Sequence, residues 1–151
     1  MNKKVATPIE QKVEDLQKLI KYEFKNTDLL ITALTHSSYA NEQRGRAISN
    51  ERLEFLGDSV LNLSVSNYLY NRFKDLTEGD LTKIRASIVS EGSLAKIAKK
   101  LKLGEYLRLG KGEENTGGRK RDSILADAVE AVIGAIYLDG GFEKASDFIL
   151  F

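Results

Sequence analysis

At 151 residues, with 42% apolar and 30% charged residues, the chain is long enough for one domain with its own hydrophobic core. It has no cysteine, so disulfides and thiolate metal sites are excluded. No N-terminal run has the form of a signal peptide and no apolar run is long enough to span a bilayer, so the expected compartment is the cytoplasm. The net charge of +1 hides an uneven distribution: acids concentrate in residues 42–80, and basic residues cluster at 96–102 and 119–121.

Residues 1–7 read as a flexible lead-in. Over 8–20, Ile9, Val13, Leu16 and Ile20 recur every three to four residues, which predicts an amphipathic helix that Pro8 opens. Residues 27–36 predict a second helix with Thr27 as N-cap, and 37–49 a polar connection. A long helix over 50–73, capped by Ser49 or Asn50, comes next. Thr77 and Asp80 are spaced as a capping box opening a helix over 77–90. Residues 93–103 predict another. The segment 104–121, rich in glycine and charge, has no sustained period and reads as a long functional or mobile loop. A uniformly apolar helix over 122–139 stops at Gly140-Gly141, and 142–151 ends on a further helical pattern. No stretch alternates with period two, so the expected class is all-α, a compact multi-helix domain.

The long helix carries an anomaly. Glu51, Glu54 and Asp58 fall within an arc of about 60° at 100° per residue, and like charges at that spacing repel. An acid in a first helical turn complements the macrodipole, which accounts for Glu51 but not for Glu54 or Asp58. Asp127 and Glu130 form a second pair, on a helix apolar nearly all round and therefore buried. Buried carboxylates must be neutralised, paired or bound to a cation, and no Lys or Arg lies within a turn of these on their helix. With one histidine and no cysteine, the ligand set is all oxygen and suits Mg²⁺ or Mn²⁺. Such a site matches metal-assisted phosphodiester hydrolysis. Scattered surface acids or buried ion pairs are the alternative.

These residues resemble a known family. NERLEFLGDSVL (50–61) is similar to the signature of ribonuclease III, the double-stranded-RNA endonuclease. The similarity continues in THSSYANE (35–42), EGDLTKIRASIVS (78–90), LGKGEENTGG (109–118) and SILADAVEAVIGAIYLDGG (123–141). The resemblance implies a metal cluster of Glu54, Asp58, Asp127 and Glu130, with Asp58 and Glu130 catalytic. It places Glu51 and Glu78 along a valley near a dimer interface. It further implies a helical nuclease domain working as a homodimer and cutting both strands of duplex RNA, with 5′-phosphate ends and short 3′ overhangs, in processing of structured RNA precursors. Bacterial members usually continue into a double-stranded-RNA-binding domain that this sequence lacks, which fits either an excised nuclease domain or a smaller member without that module. Phe55, between two acids, reads as a dimer contact. His36 suits a helix cap or a phosphate contact better than a general base. Arg119, Lys120 and Arg121 beside Gly117-Gly118 could contact RNA phosphate, or simply solvate a loop. Two rival functions stay open: a catalytically silent RNA-binding relative, and a metal-dependent hydrolase of free nucleotides.

Overall fold

In the computed structural model, which describes residues 7–150, the chain folds into helices joined by short turns, with no strand among the described residues. Residues 1–6 of the expected lead-in lie outside the described residues, but Thr7 is not lead-in. It is the N-cap of α1 (Pro8–Ile20), and its hydroxyl and the Glu10 carboxylate close a reciprocal capping box.

Helix α2 (Thr27–Ala33) is capped by Asn26, whose side chain accepts from the Asp28 amide, rather than by Thr27. It stops three residues short of His36 because Thr35 turns out to pair with Arg108 in an isolated parallel bridge. The polar connection contains a further helix, α3 (Ser37–Glu42), for which His36 is the cap: its Nδ1 accepts from the Ser38 amide. Helix α4 (Glu51–Arg72) begins after Asn50 without a side-chain cap at that position. Helices α5 (Glu78–Ile88) and α6 (Glu91–Lys100) open on the side chains of Thr77 and Ser90.

The segment 104–121 is built rather than open. It holds α7 (Lys111–Asn115) between two 3₁₀ turns, Leu103–Tyr106 and Gly118–Lys120. Within it, the Arg119 guanidinium donates to the Glu114 carboxylate and to the carbonyls of Gly104 and Leu107, and Arg121 pairs with Glu113 and the Thr116 carbonyl, while Arg108, Gly110 and Lys111 tie it to Thr35, Ser38 and Glu42. Helix α8 (Asp122–Gly140) follows, and Gly141, at φ 89°, turns the chain into α9 (Phe142–Leu150).

The apolar reading of α8 is carried by its burial: every residue from Ala131 to Ile136 is inside. It is the central rod, packed most extensively on α4 and then on α6, α9 and α2. At its C-terminal end Asp139 accepts from the Tyr22 hydroxyl at 2.6 Å and from the Lys25 and Asn26 amides, fastening α8 to the α1–α2 turn. Burial, then Asp139, pushes the Tyr22 phenol up to about 12.

Where α4 crosses α8, two glycines face each other. A Cβ on Gly57 would stand 1.7 Å from the Glu130 carbonyl oxygen, and one on Gly134 would stand 2.4 Å from the Leu53 carbonyl oxygen. The backbones therefore approach more closely than side chains permit. This crossing positions the acids of the two helices.

Candidate metal centre

Gly57 lies between Glu54 and Asp58 on α4, and Gly134 follows Asp127 and Glu130 on α8. Their close crossing brings Glu54, Asp127 and Glu130 together: one carboxylate oxygen of each lies within 4.8 Å of the others, and all three are half-buried. Asp58 stands outside this trio. It is exposed, hydrogen-bonded to the Glu130 carboxyl, and its own side chain accepts from Asn62 Nδ2.

The electrostatics are those of unneutralised acids. Burial, then the Asp58 hydrogen bond and the neighbouring charges, pushes Glu130 up to about 8. Burial and Asp127 push Glu54 up to about 7. Asp127 is raised as well, by burial first and then by Glu91 at the start of α6. Glu54 lies against Asp127 and Glu130 against Asp58, and in each contact the raised glutamate keeps its proton to a higher pH than a free carboxyl does. Positive charge in place of those protons satisfies the same oxygens. The donor set, carboxylate oxygen without sulfur or imidazole, fits a hard divalent cation.

A pH dependence follows with a definite sign. Both Glu54 and Glu130 bind protons in the fold at pH values where the unfolded chain, with carboxyls near 4.5, has lost them. Stability of the metal-free protein therefore falls as pH rises from about 4.5 to about 8. Mg²⁺ binding moves the other way, since the ligands must be deprotonated, and tightens over pH 6 to 8. At a hundred times its dissociation constant the ion adds about 2.7 kcal/mol. Melting temperatures at pH 6 and 8, with and without millimolar Mg²⁺, check this. A metal-induced gain no larger at pH 8 than at pH 6 contradicts it.

The other sequence candidates lie at varied distances from this cluster. Glu51, exposed in the first turn of α4, adds to the charge acting on Glu54. Glu78 is exposed at the start of α5 and is not among the charges that raise the trio. His36 is near enough to feel Asp127 and Glu51, yet burial holds it below its usual value, and its Nδ1 is occupied by Ser38. Arg119 and Arg121 are committed inside their own loop, whereas Lys120 is exposed and makes no ion pair among the described residues. Phe55 is 79% exposed. It is therefore no part of this chain's core.

Sequence reasoning missed Glu91, because the predicted helices end at 90 and resume at 93, whereas α6 starts on Glu91 itself. It also missed Thr35 and Arg108, which meet across 73 positions and carry no local signal.

Fold and cluster together define an all-α protein with an all-oxygen carboxylate site compatible with metal binding. A family model described as ribonuclease-III-like matches residues 26–151. The chain is 62% identical over 136 residues to ribonuclease 3 of Clostridium perfringens, a match covering 90% of this chain and 57% of that protein. It is 61% identical over 135 residues to ribonuclease 3 of Caldanaerobacter subterraneus, covering 89% of this chain and 59% of the relative. A solved nuclease domain of ribonuclease III from Campylobacter jejuni, described as flexible in a region involved in dimer formation, superposes with a TM-score of 0.86. Its identity is 50%, covering 91% of this chain and 93% of that one. The chain belongs to the ribonuclease III family. It spans about six-tenths of the length of the curated relatives it matches.

Proposed function

We propose that this domain is a divalent-cation-dependent endonuclease that hydrolyses phosphodiester bonds in both strands of double-stranded RNA. Products would be 5′-phosphate ends with short 3′ overhangs, and the setting would be cytoplasmic processing of structured precursors. The observation that carries the reading is the trio of half-buried acids with raised carboxyls across the α4–α8 crossing.

Glu54, Asp127 and Glu130 would hold Mg²⁺ or Mn²⁺, with Asp58 beside Glu130 completing the acidic set. When bound, such an ion activates the attacking water and neutralises charge on the leaving oxygen. The proton that Glu130 retains must leave before the cluster is fully charged. Glu51 extends the acidic edge along α4, and Glu78 is assigned to the valley on the family resemblance alone. Lys120 is the better candidate for a phosphate contact in its loop, since its neighbours Arg119 and Arg121 are already engaged. Recognition by A-form shape and backbone contacts makes binding steeply salt-dependent.

The assembly proposed is a C₂ homodimer through the face of α4 that carries Phe55. Leu63 and Tyr70 are also exposed further along the same helix. Phe55→Glu should then give a helical monomer that has lost duplex cleavage. Sedimentation and circular dichroism check this, and a Phe55→Glu protein that stays dimeric sinks the assignment. Since all the proposed ligands lie on one chain, a mixed dimer with one Glu130→Gln subunit should nick a single strand.

Incubating labelled duplex RNA and free nucleotides with the protein, with and without Mg²⁺, tests the central claim. Duplex cleavage that requires the metal supports it. Hydrolysis of nucleotides alone favours the nucleotide hydrolase. Duplex binding without cleavage favours the silent relative.

A further inference from the structure

Helix α4 presents its acids to α8 from its first two turns, yet Asn50 offers those turns no side-chain cap. Something else must hold that end. Asn50 is 5% exposed, and its side chain is turned away from the helix, donating to the Ala33 carbonyl at 3.1 Å. Its amide donates to the Thr35 carbonyl at 2.8 Å, and its own carbonyl accepts from the Glu54 amide at 2.8 Å. Besides a long bond from the Glu51 amide to the Ser49 hydroxyl at 3.4 Å, the start of α4 is thus tied to the three-residue turn Ala33–Leu34–Thr35.

That turn is itself clamped. Thr35 is fully buried, and its hydroxyl donates to the Ile31 carbonyl at 2.7 Å. The same oxygen accepts from Arg108 Nε at 3.0 Å and from Nη2 at 2.8 Å. The Arg108 amide donates to the Leu34 carbonyl and the His36 amide to the Arg108 carbonyl, forming the bridge between the two segments. The guanidinium also lies over the Tyr39 ring, 4.5 Å from its centroid. Every polar atom of the Thr35 side chain is used, and no buried side-chain polar atom among the described residues lacks a partner.

We propose that Thr35 and Arg108 are positioning residues for the carboxylate cluster. Acting through the Thr35 carbonyl and Asn50, they fix the first turn of α4, and with it Glu54, at the distance from Asp127 and Glu130 that a shared cation requires. Neither is among the carboxylates that would hold the ion. The link to metal affinity rests on the metal reading given above; the link to the α4 terminus does not.

The test uses Thr35→Val, which keeps the shape and removes the hydroxyl, with Thr35→Ser as the conservative variant. Arg108→Lys keeps a cation near Tyr39 but lacks the fork that reaches Thr35. Two readouts are taken on each protein. Calorimetric Mg²⁺ titration without RNA should show affinity about tenfold weaker in Thr35→Val and Arg108→Lys, the low end for loss of outer-shell support, and near wild type in Thr35→Ser. Amide hydrogen exchange in metal-free protein should speed up at Asn50 and Glu54 in the same two variants while Val60 and Leu61 stay protected. Should Thr35→Val fail to fold, Arg108→Lys decides. Wild-type Mg²⁺ affinity and wild-type exchange at Asn50 and Glu54 in a folded variant overturn the proposal, as does equal impairment in Thr35→Ser. If the wild type itself binds no Mg²⁺, the metal reading fails, and the exchange pattern alone decides whether Thr35 and Arg108 set the helix end.

Discussion

Glu130→Gln is expected to reduce duplex-RNA cleavage on the order of a thousandfold, about 4 kcal/mol of barrier, while leaving the fold intact. The amide has the volume of the acid, so the helix and its packing on α4 are unchanged. What it lacks is the charge that balances a cation and the proton that Glu130, pushed up to about 8, gives up when a cation takes its place. Without metal, the variant should melt no earlier than the wild type, and later above pH 8, where the wild-type acids repel one another. With metal, it should gain little. Single-turnover cleavage, melting with and without Mg²⁺, and circular dichroism together separate this from unfolding. Wild-type turnover at saturating Mg²⁺ would remove Glu130 from the site.

The sequence makes the two ends of this argument legible and leaves the middle hidden. Spacing of apolar residues places α1, α4 and α8, because each buries a face, or in α8 most of its surface, and burial leaves a period. The acids were visible because carboxylates on such helices demand partners. Their division into a trio with Asp58 beside it was not, since helical phase gives direction but not depth. His36 was read as suited to a helix cap and is one, but α3 itself was missed because its six mostly polar residues, Ser37–Glu42, are too few to show a period. The segment 104–121 read as a functional or mobile loop because its order comes from Arg119 and Arg121 reaching back to Glu114, Glu113 and backbone carbonyls, and from Arg108, Gly110 and Lys111 reaching Thr35, Ser38 and Glu42. Such ties have no periodic signature.

Gly57 is the clearest case of a residue whose role lies in the crossing. In sequence it is a weak point in a helix, since glycine costs about 1 kcal/mol there relative to alanine. Gly57→Ala would normally repay that cost. Here the added carbon would sit 1.7 Å from the Glu130 carbonyl oxygen, with the Glu130 carbonyl carbon at 2.6 Å. Those atoms belong to a buried helix backbone and cannot swing aside, so α4 and α8 must separate. We expect a loss of at least about 3 kcal/mol, the upper end for overpacking, and a fall in melting temperature of about 10 °C for a domain of this size. The separation also draws Glu54 away from Asp127 and Glu130, so the Mg²⁺-induced rise in melting temperature should shrink with it. Gly92 is the control: it lies in α6, is exposed, and a Cβ there meets nothing within 4 Å. Gly92→Ala should therefore raise stability by about 0.4–1 kcal/mol and leave the metal response unaltered. Thermal melts of both variants, each with and without Mg²⁺, provide the comparison. A Gly57→Ala protein that melts with the wild type would mean the helices do not cross this closely, and the placement of the carboxylate trio would fall with the crossing.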